Sequence, residues 1–328
     1  MATTDNVQKL LQVLRAEAGF AGQIRPREPM SRHTTMKVGG AADALIVPAH
    51  VEALRLVMVT AHRLGVPVMI LGGSNVIVQD RGIAGVVVKL SRLNQIRLLD
   101  GGRINAEAGV LLPRLARAAA RAGLSGLEFA IGIPGTVGGS IIMNAGTRDG
   151  ELAPLTESVT LMSMSGELQT LGRDALRFRY RHADLPHGCV VGAQFALKPA
   201  PAEQIESTMT RLLNTRSATQ PLHHPSAGCV FKNPPGDSAG RLIEAAGLKG
   251  YRLGGAQVSD RHANFIVNRG QARAGDVLSL IRHVGRQVER QFGVTLELEV
   301  KIIGRATPAL VRREARRKRL KNAGAMAS

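Results

Sequence analysis

The chain has 328 residues, 44% of them apolar, only two cysteines and a formal net charge of +18. That length holds two or three packed units, and no apolar run is long enough for a membrane-spanning helix. Cys189 and Cys229 stand apart, with no CxxC or Cys/His ligand spacing, so a disulfide framework is excluded, structural zinc is disfavoured and a reducing, cytoplasmic setting is expected.

In chain order, MATTDNVQKLLQVLRAEAGF carries Val7, Leu10, Leu11 and Leu14 at helical spacing and lacks the basic start of a signal peptide. It predicts a short amphipathic helix within residues 1–22. ALIVP (44–48) reads as a strand closed by proline, VEALRLVMVTAHRLG (51–65) as a helix ended by Gly65, and VPVMIL (66–71) as a buried strand running into GGSN. VIVQDRGIAGVVVKL (76–90) predicts two more short strands around a glycine turn. LLPRLARAAARAG (111–123) predicts a helix leading to the glycine-dense GIPGTVGGSIIMNAG (132–146), and VTLMSMSGELQTL (159–171) a hairpin turning at Ser-Gly.

LKPAPAEQ, near Pro199, has the composition of a linker. Beyond it, helices are expected over IESTMTRLLNTRS, AGRLIEAAG and AGDVLSLIRHVGRQVERQF, the last with Val277, Ile281, Val284 and Val288 on one side. GVTLELEVKII (293–303) predicts a single strand with Val294, Leu296, Leu298, Val300 and Ile302 on one face. Thr295, Glu297, Glu299 and Lys301 would then share the other. The final run, VRREARRKRLKNAGAMAS, supplies much of the charge and reads as a solvated tail. With no Trp and two Tyr, base-stacking platforms are scarce, which argues against a dedicated nucleic-acid binder. The mildly basic body suits a phosphorylated small molecule. The pattern is α+β.

Two stretches offer bare backbone. GGSN (72–75) is either a tight turn or a phosphate cradle built from backbone amides, the Ser74 hydroxyl and the Asn75 amide. In IPGTVGGS (133–140), Gly135, Gly138 and Gly139 either satisfy a positive-φ loop or let a flat ligand approach the main chain. The spacing is not that of a Rossmann fingerprint. FRYRHADL (178–185) brings Arg179, Arg181 and His182 together, and a guanidinium there can hold a carboxylate in bidentate fashion. HHP (223–225) has no third ligand at useful spacing, so no metal site is expected. PSAGCVFKNPPGD (225–237) leaves Cys229 either inert or a proton donor.

Together, IPGTVGGSIIMNAG, PSAGCVFKNPPGD and GGAQVSDRHANFIVN closely resemble the UDP-N-acetylenolpyruvoylglucosamine reductases of bacterial peptidoglycan synthesis. The resemblance runs from HTTMKVGGAADALIVP (33–48) to LELEVKIIG (296–304) and, lacking a long extra loop, to the shorter subclass. It implies a two-part FAD-binding region of the vanillyl-alcohol-oxidase type followed by an α+β substrate domain. The expected division is 1–22, 23–90, 91–199, 200–304 and a basic tail, 305–328. It also implies NADPH as hydride donor, a UDP-sugar enol ether as substrate and no obligatory protein partner.

By resemblance, Arg181 stabilises developing charge with help from Glu299, and Cys229, normally serine in the family, donates the proton. Gly72, Gly73, Ser74, Asn75, Ile133, Pro134, Gly135, Thr136, Gly138, Gly139, Asn144, Ala145 and Gly146 fall in flavin-binding segments, and Tyr180, Lys232, Asn233 and Gln257 on the substrate side. Three positions depart from the family pattern: Leu71 for a glycine, or else a one-residue deletion in that loop, Ala183 for a serine, and Cys229 itself. A thiol in water titrates near 8.5, so the ionisation state of Cys229 is open at this level.

Overall fold

The computed structural model describes residues 2–72 and 74–305, so Gly73 and all but the first residue of the basic tail lie outside the described residues. Helix α1 (Ala2–Ala16) buries Val7, Leu10, Leu11 and Leu14 against helix α2 (Val51–Arg63) and the sheet beneath. The His50 ring nitrogen Nδ1 caps α2 by accepting the Ala53 N–H. That sheet runs in the order Gly22–Pro26, Ala42–Pro48, Ile83–Val88, Val68–Ile70, with its first pair antiparallel and the others parallel. Along Ala42–Pro48, Ala44 and Ile46 enter one core while Leu45 and Val47 enter another, so the strand is buried on both faces and reads as one apolar run.

A five-stranded antiparallel sheet follows, ordered Leu168–Gly172, Thr156–Met162, Cys189–Ala196, Arg103–Glu107, Ile96–Leu99. Its first pair is the hairpin predicted over 159–171. Helix α3 (Leu112–Arg121) and the short helix α4 (Val137–Ile142) pack with this part. The glycine-dense stretch is thus not all loop. Gly138 and Gly139 are helical, and a side chain on Gly138 would bring its Cβ within 3.0 Å of that of Ala108, so close packing fixes that glycine.

Helix α5 (Ala202–Thr219), beyond the proline-rich linker, sets Ile205 and Met209 into the core of the preceding region. Helices α6 (Ala239–Ala245) and α7 (Ala274–Phe292) cover a four-stranded antiparallel sheet ordered Ser226–Cys229, Phe265–Asn268, Ala256–Val258, Arg252–Leu253. Val277, Ile281, Val284 and Val288 of α7 are buried there, together with Met36, Val38 and Ile77 from the first region. Among the described residues no helix is long and apolar enough to cross a membrane.

The strand expected over 293–303 is much shorter. Only Lys301–Ile303 is a strand, and it pairs parallel to Val76–Val78. Upstream, Leu298 bridges Phe231, and the N–H groups of Glu299 and Val300 both donate to the Val230 carbonyl, at 2.9 and 3.4 Å. Two residues opposite one make a bulge, which breaks the period of two. Leu298 and Ile302 are consequently exposed, and the Glu299 carboxylate turns inward.

Candidate active site

The returning carboxyl-terminal strand brings Glu299 to the first glycine loop. The Lys301 N–H donates to the Asn75 carbonyl at 2.8 Å, two residues after Glu299. The Ser74 carbonyl is held from the other side by the Thr35 hydroxyl at 2.9 Å. Loop 133–136 closes against the same place: Gly135 has φ +143°, and a Cβ there would stand 2.9 Å from Ser74 Oγ. Gly72 and Gly139 face one another, and a Cβ on either would sit 3.4–3.5 Å from the other's Cα.

Cys229 ends the strand Ser226–Cys229, whose register against Phe265–Asn268 shifts between Ser226 and Cys229. Gly228, at φ +77°, supplies the left-handed residue of that irregularity, and such a kink re-aims the next side chain. Arg181 comes from a third direction, at the turn of a hairpin formed by Arg177–Arg179 and His182–Asp184.

Arg181, Cys229 and Glu299 line one cavity together with Gly72, Ser74 and Asn75. Arg181 Nε stands 3.1 Å from Glu299 Oε1, each side chain about one-fifth exposed at 19%. Burial raises Glu299 above the ordinary carboxylate range, and Arg181 and Lys232 only partly oppose it. Cys229 is half-buried, and its thiol is pushed up to about 12 by burial, with Glu299 adding to the rise and Arg181 and Arg216 opposing it. That shift favours the protonated thiol at ordinary pH.

Of the other residues expected on the cofactor side, Ile133, Pro134, Thr136, Gly139, Ala145 and Gly146 also line this cavity. Gly138 lines an adjoining one that shares Gly72, Thr136 and Gly139 with it. Leu71 packs into a core and borders that second cavity. Asn144 is buried and lines neither.

The substrate-side set is more scattered. The Tyr180 ring is half exposed, with Arg181 Cζ 5.2 Å from its centroid. Lys232 pairs with Glu297 at 3.4 Å. The Asn233 side-chain oxygen Oδ1 accepts the Ala239 N–H at the start of α6, and the Gln257 side chain donates to the Gly250 carbonyl and to Asp260. None of these four borders the cavities described here.

A cleft of about 730 Å³ continues from the same trio toward Arg148, Arg216, Arg261 and His262. Sequence reasoning did not find these four. Arg216 arrives from α5 through space left by Gly132, whose Cβ would meet Arg216 Cδ at 2.9 Å, and no local motif announces such a contact. Burial lowers Arg216 from the usual guanidinium range, yet an arginine stays charged.

Bare backbone that runs on into an arginine-lined cleft, with a buried thiol at the junction, fits a flavoenzyme with an anionic substrate. Comparison with known proteins agrees in detail. Residues 42–172 match the model of the FAD binding domain, and residues 220–303 that of the UDP-N-acetylenolpyruvoylglucosamine reductase C-terminal domain. The chain is 48% identical to UDP-N-acetylenolpyruvoylglucosamine reductase 2 of Symbiobacterium thermophilum over 86% of its own length and 93% of the relative's. It is 47% identical to the reductase of Moorella thermoacetica over 88% and 96%. The crystal structure of the enzyme from Thermus caldophilus superposes with a TM-score of 0.74 at 40% identity, covering 86% of this chain and 99% of that one. The chain belongs to the UDP-N-acetylenolpyruvoylglucosamine reductase family.

Proposed function

We propose that this chain is an FAD-containing, NADPH-dependent reductase that converts enolpyruvyl-UDP-N-acetylglucosamine to UDP-N-acetylmuramate. The observation that carries the reading is the meeting of Arg181, Cys229 and Glu299 at one end of a glycine-lined cavity within reach of both matched domains. The residues fit FAD: Gly72 and Gly139 meet closely and leave that wall of the cavity bare of side chains, and the side chains of Ser74, Asn75 and Thr136 offer donors and acceptors along it. When bound, FAD relays hydride from NADPH to the enolpyruvyl double bond.

The chain's own residues handle the charge and the proton. Hydride addition to the terminal carbon leaves negative charge on its neighbour and on the attached carboxylate. Arg181 has no hydrogen bond from its Nη groups among the described residues, so both are available as donors to that carboxylate. Glu299 holds the Arg181 Nε side of the guanidinium and thereby orients those donors. Cys229 gives its proton to the carbon next to the carboxylate, which completes addition of H⁻ and H⁺ across the double bond and yields the lactyl ether. The thiol then regains a proton from solvent. The four cationic or protonatable side chains along the cleft favour an anionic nucleotide-sugar there. Substrates of this kind belong to the cytosol, the setting proposed for the enzyme.

The test is direct. Purified protein should carry or take up FAD and oxidise NADPH in stoichiometric balance with UDP-N-acetylmuramate formed, only when the enolpyruvyl sugar is present. A protein that takes up no FAD, or that oxidises NADPH without forming that product, contradicts the reading.

A further inference from the structure

We propose that Asn144 is a positioning residue for Arg181 rather than a contact of the cofactor; this rests on the reductase reading above. Its neighbours Met143, Ala145 and Gly146 line the cavity, whereas Asn144 is 1% exposed and does not. Its side chain is fully engaged elsewhere. Oδ1 accepts the Ala153 N–H at 3.0 Å, and Nδ2 donates to Glu151 Oε2 at 3.1 Å and to the Arg179 carbonyl at 3.2 Å. Asn144 also has φ +40°, a left-handed conformation that asparagine tolerates better than most side chains. Both N–H donors of the amide are engaged, and the buried Oδ1 lies outside the cavity.

The Arg179 carbonyl lies two residues before Arg181 on a hairpin that packs on the core through Phe178 and Ala183 but has few polar ties to the rest of the protein. Its strands, Arg177–Arg179 and His182–Asp184, pair with each other and with no other strand. Its side-chain bonds, from Arg179 and His182 to Asp184, are internal. Ala183 is buried and has no side-chain donor to add. Among the described residues, the one hydrogen bond joining the hairpin to the rest of the protein is that from Asn144; the Arg181–Glu299 ion pair is the other polar tie. An isolated two-stranded hairpin is marginal by itself. Arg181 is moreover held at φ +55°, a conformation that an arginine adopts only when its surroundings impose it. The chain therefore spends one buried asparagine on fixing the strand that aims the catalytic guanidinium.

Asn144→Gly separates this role from the alternatives, because glycine keeps the left-handed backbone while losing all three hydrogen bonds. In the holoenzyme, FAD affinity and NADPH oxidation with ferricyanide as acceptor should stay within about twofold, since neither uses Arg181. With the enolpyruvyl sugar, kcat should fall roughly 100-fold, the scale of a misplaced catalytic group. In an Arg181→Ala background the same change should add less than about threefold, because it acts through a side chain already removed. Asn144→Asp, close in shape but without the Nδ2 donor and with a charge beside Glu151, should repeat the loss in kcat. Loss of FAD affinity with unchanged sugar kinetics, or full additivity with Arg181→Ala, overturns the proposal. Wild type that fails with the sugar overturns the reductase reading instead, whereas active wild type with an equally active Asn144→Gly overturns only this inference.

Discussion

At Cys229 the surroundings decide the chemistry more than the residue type does. A thiol in water at pH 8.5 is half ionised and would give the step a donor that fades at alkaline pH. Burial, reinforced by the nearby Glu299 carboxylate, lifts it to about 12, which keeps the proton on the thiol well into the alkaline range. Glu299 shows the same burial effect on a carboxylate. Its value in the fold lies above that in the unfolded chain, because burial outweighs the attraction of Arg181. The fold therefore binds that proton more tightly than the unfolded chain. Its contribution is fully present below the unfolded value, about 4.3, and is lost as pH rises through the folded one. Glu299→Gln, which cannot ionise, should accordingly melt higher than wild type at neutral pH, with the difference shrinking toward about pH 4, while turnover of the enolpyruvyl sugar falls. A melting temperature that drops equally at both pH values contradicts this account of Glu299.

Elements with strong local periodicity were legible in the sequence: α2, α3, α7 and the hairpin over 159–171 fall where apolar spacing and turn residues place them. The stretch 293–303 was misread because two N–H groups converge on the Val230 carbonyl, an event with no local signature in the strand itself. The glycine-dense stretch hid a six-residue helix, α4, because Gly138 there serves packing against Ala108 instead of loop conformation. Arg216 was invisible for a related reason, its place in the site depending on Gly132, more than eighty residues away in the chain. Among the described glycines of the two cofactor-side loops, Gly135 is the one with a left-handed backbone, with φ +143° and Ser74 Oγ 2.9 Å from a Cβ. Gly135→Ala should weaken FAD binding about tenfold, the equivalent of about 1.4 kcal/mol, in a titration of apoprotein. Unchanged affinity would show that the two loops do not form one cofactor surface.

Across the whole molecule, the site depends on the carboxyl-terminal part being tied back onto the amino-terminal one. Asp80 accepts the N–H groups of Ala274 and Gly275 at 2.8 and 2.9 Å, capping α7 from the far end of the chain. Arg305 pairs with Asp43 at 2.6 Å, and Lys301–Ile303 joins Val76–Val78. These ties hold Glu299 and Cys229 opposite the glycine loops. Asp80→Ala should cost about 1–2 kcal/mol in urea unfolding, as for loss of a helix cap, and raise KM for the sugar more than for NADPH, whereas Asp80→Asn keeps much of both. A purely local loss of stability, with unchanged KM, would remove Asp80 from the site's support. The central claim, that this cavity protonates the substrate carbon through Cys229, is met most directly by comparing wild type, Cys229→Ser and Cys229→Ala from about pH 6 to 10 in two assays, NADPH oxidation with the enolpyruvyl sugar and with ferricyanide. Wild type and Cys229→Ser should share one alkaline profile, and Cys229→Ala should lose roughly 100-fold or more with the sugar while keeping the ferricyanide rate. An alanine variant that turns over the sugar normally would contradict the account.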